Sequence, residues 1–276
     1  MHFKWSKLVF IASALLILCF IPYIYSTHQR LRVSFLDVGQ GDAALIRTPS
    51  GQNILIDAGD TDGGVLDSLG KELGFWNRYI DLFILTHPHR DHFGGFLDLV
   101  DRIPIKKVAM TGAVSDDPLY PEFLKAVEEH HYPVDILSAD KDYEFSPGVV
   151  LDNLFPFEPG MLYGKRVKDA NAVSHVAVLK KDGIPLVLFT GDADMALESE
   201  ILLRGFDVRA GILKVGHHGS KYSTSDSFLQ AVHPKEAVIS VGKENDFGHP
   251  HAETLEKLRG ILLHLTSQEG TVRYNF

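Results

Sequence analysis

The sequence predicts one mixed α/β domain over residues 31–276, preceded by an apolar leader and linker over residues 1–30. Three observations predict it. Short apolar runs rich in branched and aromatic residues recur along the chain, each bounded by glycine, proline or polar turn residues, as buried strands are. Amphipathic stretches with helical spacing lie between them. Several of the apolar runs end in a cluster of histidine and aspartate, the place where open α/β sheets put their sites.

The leader comes first. Lys4 and Lys7 precede an uncharged run from Leu8 to Tyr25, long enough to cross a bilayer as one helix, with Trp5 at one end and Tyr23 and Tyr25 at the other. The lysines favour an inside amino terminus and an outside domain, against the opposing weight of Arg30 and Arg32. A signal peptide cut near Ser26 is the alternative, but the apolar run is long for a signal core. The expectation is a single-pass, uncleaved anchor with the domain outside the cell membrane, or a secreted domain if the leader is cut. Cys19, the only cysteine, lies in this leader, so the domain has no internal disulfide. A net charge of −9 argues against a general nucleic-acid footprint, though not against a local basic groove.

Strands are expected at Leu31–Leu36, Ala43–Arg47 and Asn53–Asp57, the last two joined by a Pro49-Ser50-Gly51 turn. Asp67–Leu73 reads as a helix, Ile80–Leu85 as a strand, and Phe96–Val100 as part of the helix after it. Val108–Gly112 is a further strand and Tyr120–Glu129 a helix ending at His130 and His131, which fit the negative end of the helix dipole better than a metal. Residues 140–171 read as turn-rich, with a basic stretch, Leu162–Asp169, as the local candidate for an anionic substrate. Asn171–Leu179 leads into a strand, further strands follow at 184–190, 211–215, 237–242 and 271–274, and helices at Asp226–Val232 and Leu255–Leu263.

The densest chemistry is in Thr86-His87-Pro88-His89-Arg90-Asp91-His92, followed by Gly94-Gly95. Imidazole and carboxylate are ligands of zinc and similar cations. His87 and His89, two apart in a loop, converge on one ion, leaving Asp91 and His92 for a second. A solvated His-rich turn is the bland alternative, and this density at a strand end speaks against it.

This His-x-His-x-Asp-His run resembles the signature of the metallo-β-lactamase superfamily. Val33-Ser34-Phe35-Leu36-Asp37-Val38-Gly39-Gln40-Gly41-Asp42-Ala43, Lys214-Val215-Gly216-His217-His218-Gly219-Ser220 and Gly248-His249-Pro250 resemble, more narrowly, the extracellular domain of ComEC-type competence proteins. The resemblance runs from Leu31 onward and implies an αββα sandwich and two divalent ions, zinc or manganese. It implies that Asp192 bridges the ions, although Asp192 can also cap the following helix. It implies that Asp57 orients the metal loop from behind, with a plain turn aspartate as the alternative; Asp42 is substrate-side or structural. His175 stands where ComEC-type relatives carry an apolar residue after Asn-x-x-Ser; either it completes the first metal site, or it is a core or surface histidine and Asn171 or Ser174 lies near the metals. Spacing does not choose between His217 and His218 as ligand; the glycine that follows favours His218, leaving His217 to face substrate. His249 binds a phosphoryl oxygen or acts as general acid, and His251 caps a helix or sits at the surface. Ser220, Ser223, Thr224 and Ser225 supply hydroxyls to the site or cap the next helix.

The implied function is hydrolysis by a metal-activated water, with Asp91, His217 and His249 as catalytic groups and a phosphodiester, DNA or a wall polymer, as substrate. The alternatives are a β-lactam or other amide or ester hydrolase, and a non-catalytic metal- and DNA-binding surface domain. The membrane is the only other expected partner; no protein partner is inferred.

Overall fold

The computed structural model describes residues 30–61, 64–73 and 78–276, with Ser13 before them. The expected membrane span lies outside the described residues, among which no helix is long and apolar enough to cross a membrane.

The first half runs β1 (Arg32–Phe35), β2 (Ala44–Arg47), β3 (Asn53–Ile56), α1 (Gly64–Glu72), β4 (Leu82–Leu85), α2 (Arg90–Leu99), β5 (Val108–Met110), α3 (Tyr120–Glu129) and β6 (Val134–Ile136). The second runs β7 (Tyr143–Ser146), β8 (Val149–Phe155), β9 (Val176–Lys181), β10 (Ile184–Phe189), α4 (Met195–Leu203), β11 (Ile212–Lys214), α5 (Asp226–Val232), β12 (Glu236–Ile239), α6 (Ala252–Lys257), β13 (Leu262–Leu265) and α7 (Thr266–Glu269). A last strand, β14 (Val272–Asn275), returns to the first sheet. The strands form two seven-stranded sheets, ordered β14-β1-β2-β3-β4-β5-β6 and β13-β12-β11-β10-β9-β8-β7. Each begins with antiparallel hairpins and continues in parallel strands, through β3–β6 in one and β10–β13 in the other.

Three apolar seams follow from the two-residue period of the strands. Ile46, Ile54 and Ile84 of the first sheet meet Leu151, Ala177 and Val187 of the second, so the sheets pack face to face. The alternate residues Leu45, Leu55 and Phe83 turn outward onto α1–α3, where Phe93, Phe96 and Phe123 are buried. Val178, Leu188 and Leu213 likewise turn outward onto α4 and α5. The result is a four-layer sandwich with helices outside and two sheets within.

Two expected elements differ. Residues 140–171 hold β7 and β8, the latter seven residues long. The Ser146-Pro147-Gly148 turn joins them, Val149 and Leu151 face the other sheet, and Phe155, past a register shift, packs on the helix side. The helix expected to reach Leu263 stops at Lys257, and Leu262–Leu265 pairs in parallel with β12. Gly260 interrupts the helix, and the edge of β12 supplies the pairing that the local sequence does not show.

Candidate metal centre

The chemistry-bearing loops leave the carboxyl ends of β4, β10, β11 and β12. The β4 loop is set by Asp57. This residue has φ +57°, a left-handed conformation that aspartate tolerates, and its carboxylate faces back into the loop. Asp57 Oδ1 accepts from Thr86 N at 2.8 Å, and Oδ2 accepts from Thr86 Oγ1 at 2.7 Å and faces His92 Nδ1 at 2.8 Å. His92 is therefore protonated on Nδ1 and aims Nε2 at the loop's centre. Thr86 Oγ1, already donating to Asp57, lies 3.0 Å from His87 Nδ1, which fixes the His87 tautomer in the same sense. Acceptors of this kind behind the ring orient metal-ligating histidines.

The β10 loop brings Asp192 under these rings. Its Oδ2 lies 3.3 Å from His92 Nε2, 3.5 Å from His218 Nε2, 3.8 Å from His87 Nε2 and 3.9 Å from His217 Nε2. Ser174 Oγ accepts from the Asp192 backbone N–H. The helix cap is Asp194, which accepts from Leu197 N, so the Asp192 carboxylate is free for the cluster. On the β11 loop His217 and His218 have φ +49° and +51°, consecutive left-handed residues between Gly216 and Gly219. Backbone strain of this kind collects at functional sites. His218 Nδ1 faces Ser240 O at 3.0 Å and Asp42 Oδ1 at 3.3 Å, and Nε2 meets Asp91 Oδ2 at 3.1 Å.

The Gly39-Gln40-Gly41-Asp42 tetrad joins the two halves. Asp42 N donates to Asp91 O, and Gly59 N donates to Asp42 O. Gly41, at φ +124°, lies so close that any Cβ would collide with the Asp91 carbonyl oxygen. Gln40 Oε1 accepts from Gly242 N, past the end of β12. Asp42 is also paired with the buried Lys214 at 2.6 Å.

Four overlapping groups place their donor atoms within 4.8 Å of one another: His87, His92 and Asp192; Asp91, His92 and His218; Asp42, Asp192 and His218; and Asp42, Asp57 and His92. The donor set fits divalent cations. His92 Nε2 and Asp192 Oδ1 are buried without a hydrogen-bond partner, as atoms awaiting a ligand are. Charge points the same way. Burial opposes charge on Asp192, but the facing His218 and His92 outweigh it and hold the carboxyl well below its ordinary value. Burial likewise disfavours charge on His92 and His218, yet Asp192 with Asp57 or Asp42 drives the first well up and the second to about 10. The cluster gathers positive charge onto itself. His87 is held well below its ordinary value by burial and by His92.

Above lies a cleft of about 410 Å³ lined by Gln40, Asp60, His89, Arg90, Asp91, Asp117, Asp192, His217, His218, Phe247 and His249. His89 Nδ1 is 3.2 Å from His87 Nε2. His249 is bracketed by Asn245, which donates to its carbonyl and accepts from its N–H. Burial, then the neighbouring His218 and His217, pushes its ring down to about 4.

The structure thus gathers His87, His89, Asp91, His92, Asp192, His217, His218 and His249 at one place. It does not bring His175 there. That ring is buried, its Nε2 lies 2.7 Å from Asn153 Oδ1 on β8, and burial lowers it to about 3. Only the His175 backbone reaches the loop, through N–H to Thr86 O. The neighbours named as its alternatives are closer: Ser174 holds Asp192, and Asn171 Nδ2 is 3.4 Å from His217 Nδ1. His130 pairs with Asp101 apart from the cluster, while His251 Nδ1 accepts from Lys221 N and its ring packs 4.9 Å from that of His249 at the cluster's edge. In the basic stretch Arg166 is paired with Asp116, and Tyr163 and Gly164 line a separate groove beside α3. The sequence reading assigned no role to Lys214; the signal was its place in the strand that leads to His217.

Residues 36–243 match the family model described as the metallo-beta-lactamase superfamily. The chain belongs to that superfamily, and its fold and donor cluster are those of a metal-dependent hydrolase using divalent ions. Among curated proteins it is similar to ComE operon protein 3 of Bacillus subtilis (strain 168), at 30% identity over 93% of this chain and 34% of that protein. It is similar also to Recombination protein 2 of Haemophilus influenzae, at 30% identity over 95% of this chain and 31% of that protein. The chain spans about a third of the length of these relatives. Among solved structures, Igni18, a metallo hydrolase from Ignicoccus hospitalis, shares the fold with a TM-score of 0.55 at 18% identity, over 89% of this chain and 99% of that one.

Proposed function

We propose that the chain is a dinuclear-metal phosphodiesterase that works outside the membrane, held there by its leader. The observation that carries this reading is Asp192: one buried carboxylate oxygen lies within 4 Å of Nε2 of His87, His92, His217 and His218. One such anion can serve two cations. His87, His89, His92 and Asp192 would hold one ion, and Asp91, His218 and Asp192 the other, zinc before manganese given the imidazole content. When bound, paired divalent ions supply a nucleophile at neutral pH and polarise the bond under attack.

The chain's own groups do the rest. Asp91, about a quarter exposed on the cleft floor, orients the attacking water and takes its proton. The bond from phosphorus to the leaving oxygen breaks as water adds, and the proton that Asp91 took passes to that oxygen directly or through solvent. His217, His249 and Arg90 line the cleft with N–H donors suited to phosphoryl oxygens. Because His249 is held neutral, it serves as a hydrogen-bond donor rather than as the general acid. The name of one relative, Recombination protein 2, favours DNA over a wall polymer.

The test uses the whole chain, stripped of metal and reloaded with zinc or manganese. It is offered bis-p-nitrophenyl phosphate, single- and double-stranded DNA and a glycerol-phosphate polymer, beside an Asp91→Ala/Asp192→Ala variant. Metal-dependent cleavage that the variant lacks is the expected result. No cleavage of any phosphodiester with two ions bound overturns the reading, and hydrolysis of a β-lactam, or DNA binding without cleavage, would replace it.

A further inference from the structure

Two of the four cation-competent groups use Asp42: one, with Asp57 and His92, lies on the inner side of the rings, and the other reaches past His218 to Asp192 in the cleft. The groups without Asp42 face the open cleft through Asp91 or Asp192, whereas the inner side is closed. A cavity of only about 10 Å³ remains there, lined by Asp42, Asp57, Thr86, Lys214 and Ser240 among others. A cation drawn inward would be out of reach of substrate, yet Asp42 and Asp57 are two buried carboxylates that attract one. Lys214 answers that attraction. Its side chain is 4% exposed, and its ammonium meets Asp42 Oδ2 at 2.6 Å and donates to Val215 O at 2.9 Å. Asp42 Oδ1 stays buried 3.3 Å from His218 Nδ1, whose nearer acceptor is Ser240 O at 3.0 Å.

We infer that Lys214 is a built-in cation that occupies Asp42 and excludes metal ions from the inner side, confining them to the cleft side of His92 and His218. It is a positioning residue that acts through Asp42 and His218. This role rests on the proposed metal-dependent function but concerns where ions bind rather than what is cut. Like charges in a buried site repel strongly, so the exclusion needs only the ammonium already present. Removing Lys214 alone frees an anion. Removing the Asp42 charge alone leaves a buried ammonium beside the ion site. Removing both restores neutrality.

The experiment measures zinc affinity by chelator competition and zinc content at saturation for the whole chain and for Lys214→Met, Asp42→Asn, the double variant and Lys214→Arg. Lys214→Met should take up more zinc per chain than wild type. Asp42→Asn should weaken zinc binding roughly tenfold or more, because the unpaired Lys214 ammonium then repels the ion. Adding Lys214→Met to it should recover most of that loss, and Lys214→Arg should behave as wild type. A purely structural role gives no such recovery. A double variant that binds as weakly as Asp42→Asn overturns the inference, as does a folded Lys214→Met with wild-type content and affinity. If Lys214→Met does not fold, the comparison of Asp42→Asn with the double variant still decides. Wild type that binds zinc and cuts no phosphodiester defeats the proposed function while leaving this inference standing. Cleavage without charge coupling does the reverse.

Discussion

Asp57 carries three donors on two oxygens: Thr86 N, Thr86 Oγ1 and His92 Nδ1. An asparagine there tolerates the backbone angle but turns an NH₂ group toward one of those donors. Asp57→Asn should therefore lower zinc affinity roughly ten- to a hundredfold, read by chelator competition; wild-type affinity in a folded variant would show that His92 needs no such anchor. At this scale the metal loop was legible, because ligand types packed into six positions leave little else for them to do. His175 was not. Its partner, Asn153, lies on a neighbouring strand 22 residues away, and no local pattern tells a ring that turns into the sheet from one that turns into the site. The Asp192 ambiguity dissolved for a local reason, since the carboxylate two residues on takes the cap.

Between elements, the tetrad and α4 carry the sharpest consequences. Gly41 lets the first half's turn press against the Asp91 carbonyl. Gly41→Ala should displace the Asp91 loop and cost most of the metal-dependent activity while the circular dichroism spectrum stays native; unchanged turnover would mean the loop has slack. On α4, Glu198 is buried and accepts from Thr224 N and Ser225 N at the start of α5. Burial pushes it up to about 7 from 4.5 despite those donors. The folded state thus keeps a proton that the unfolded chain releases at lower pH. This group's contribution is greatest below pH 4.5, declines as pH rises from there to about 7, and is constant above. The decline is on the order of 3 kcal/mol. Urea midpoints for wild type and Glu198→Gln across that range should converge in slope only above about pH 7; parallel curves throughout would refute the assignment. The strands flanking the ligand loops were legible from their apolar runs. β8 was obscured by the polar Asp152 and Asn153, and β13 by leucines that suit a helix as well as a strand until β12 supplies an edge.

The whole molecule places its donors on both sheets: His87, His89, Asp91 and His92 follow β4, and Asp192, His217 and His218 follow β10 and β11. Bound ions therefore cross-link the halves. Zinc at a hundred times its dissociation constant should stabilise the fold by about 2.7 kcal/mol, raising the melting temperature by roughly 5–10 °C for a chain of this size. Calorimetry with and without chelator checks this; zinc bound with no shift would mean the halves dock fully without it. The sandwich itself was legible only through the order of the motifs. Composition and periodicity give strands and helices but not which sheet each strand joins.

Sheet membership has one further consequence. β1 pairs on one side with β2, its neighbour in sequence, and on the other with β14, where Arg32 lies opposite Asn275. While the chain is being made, everything from β2 to β13 can be in place with the outer edge of β1 still open, its N–H and C=O groups facing water beside Val33 and Phe35. An open apolar edge is a template for any passing strand. The first of the described strands along the chain is thus among the last of them to be closed, and in the interval its protection falls to the surroundings rather than to the fold.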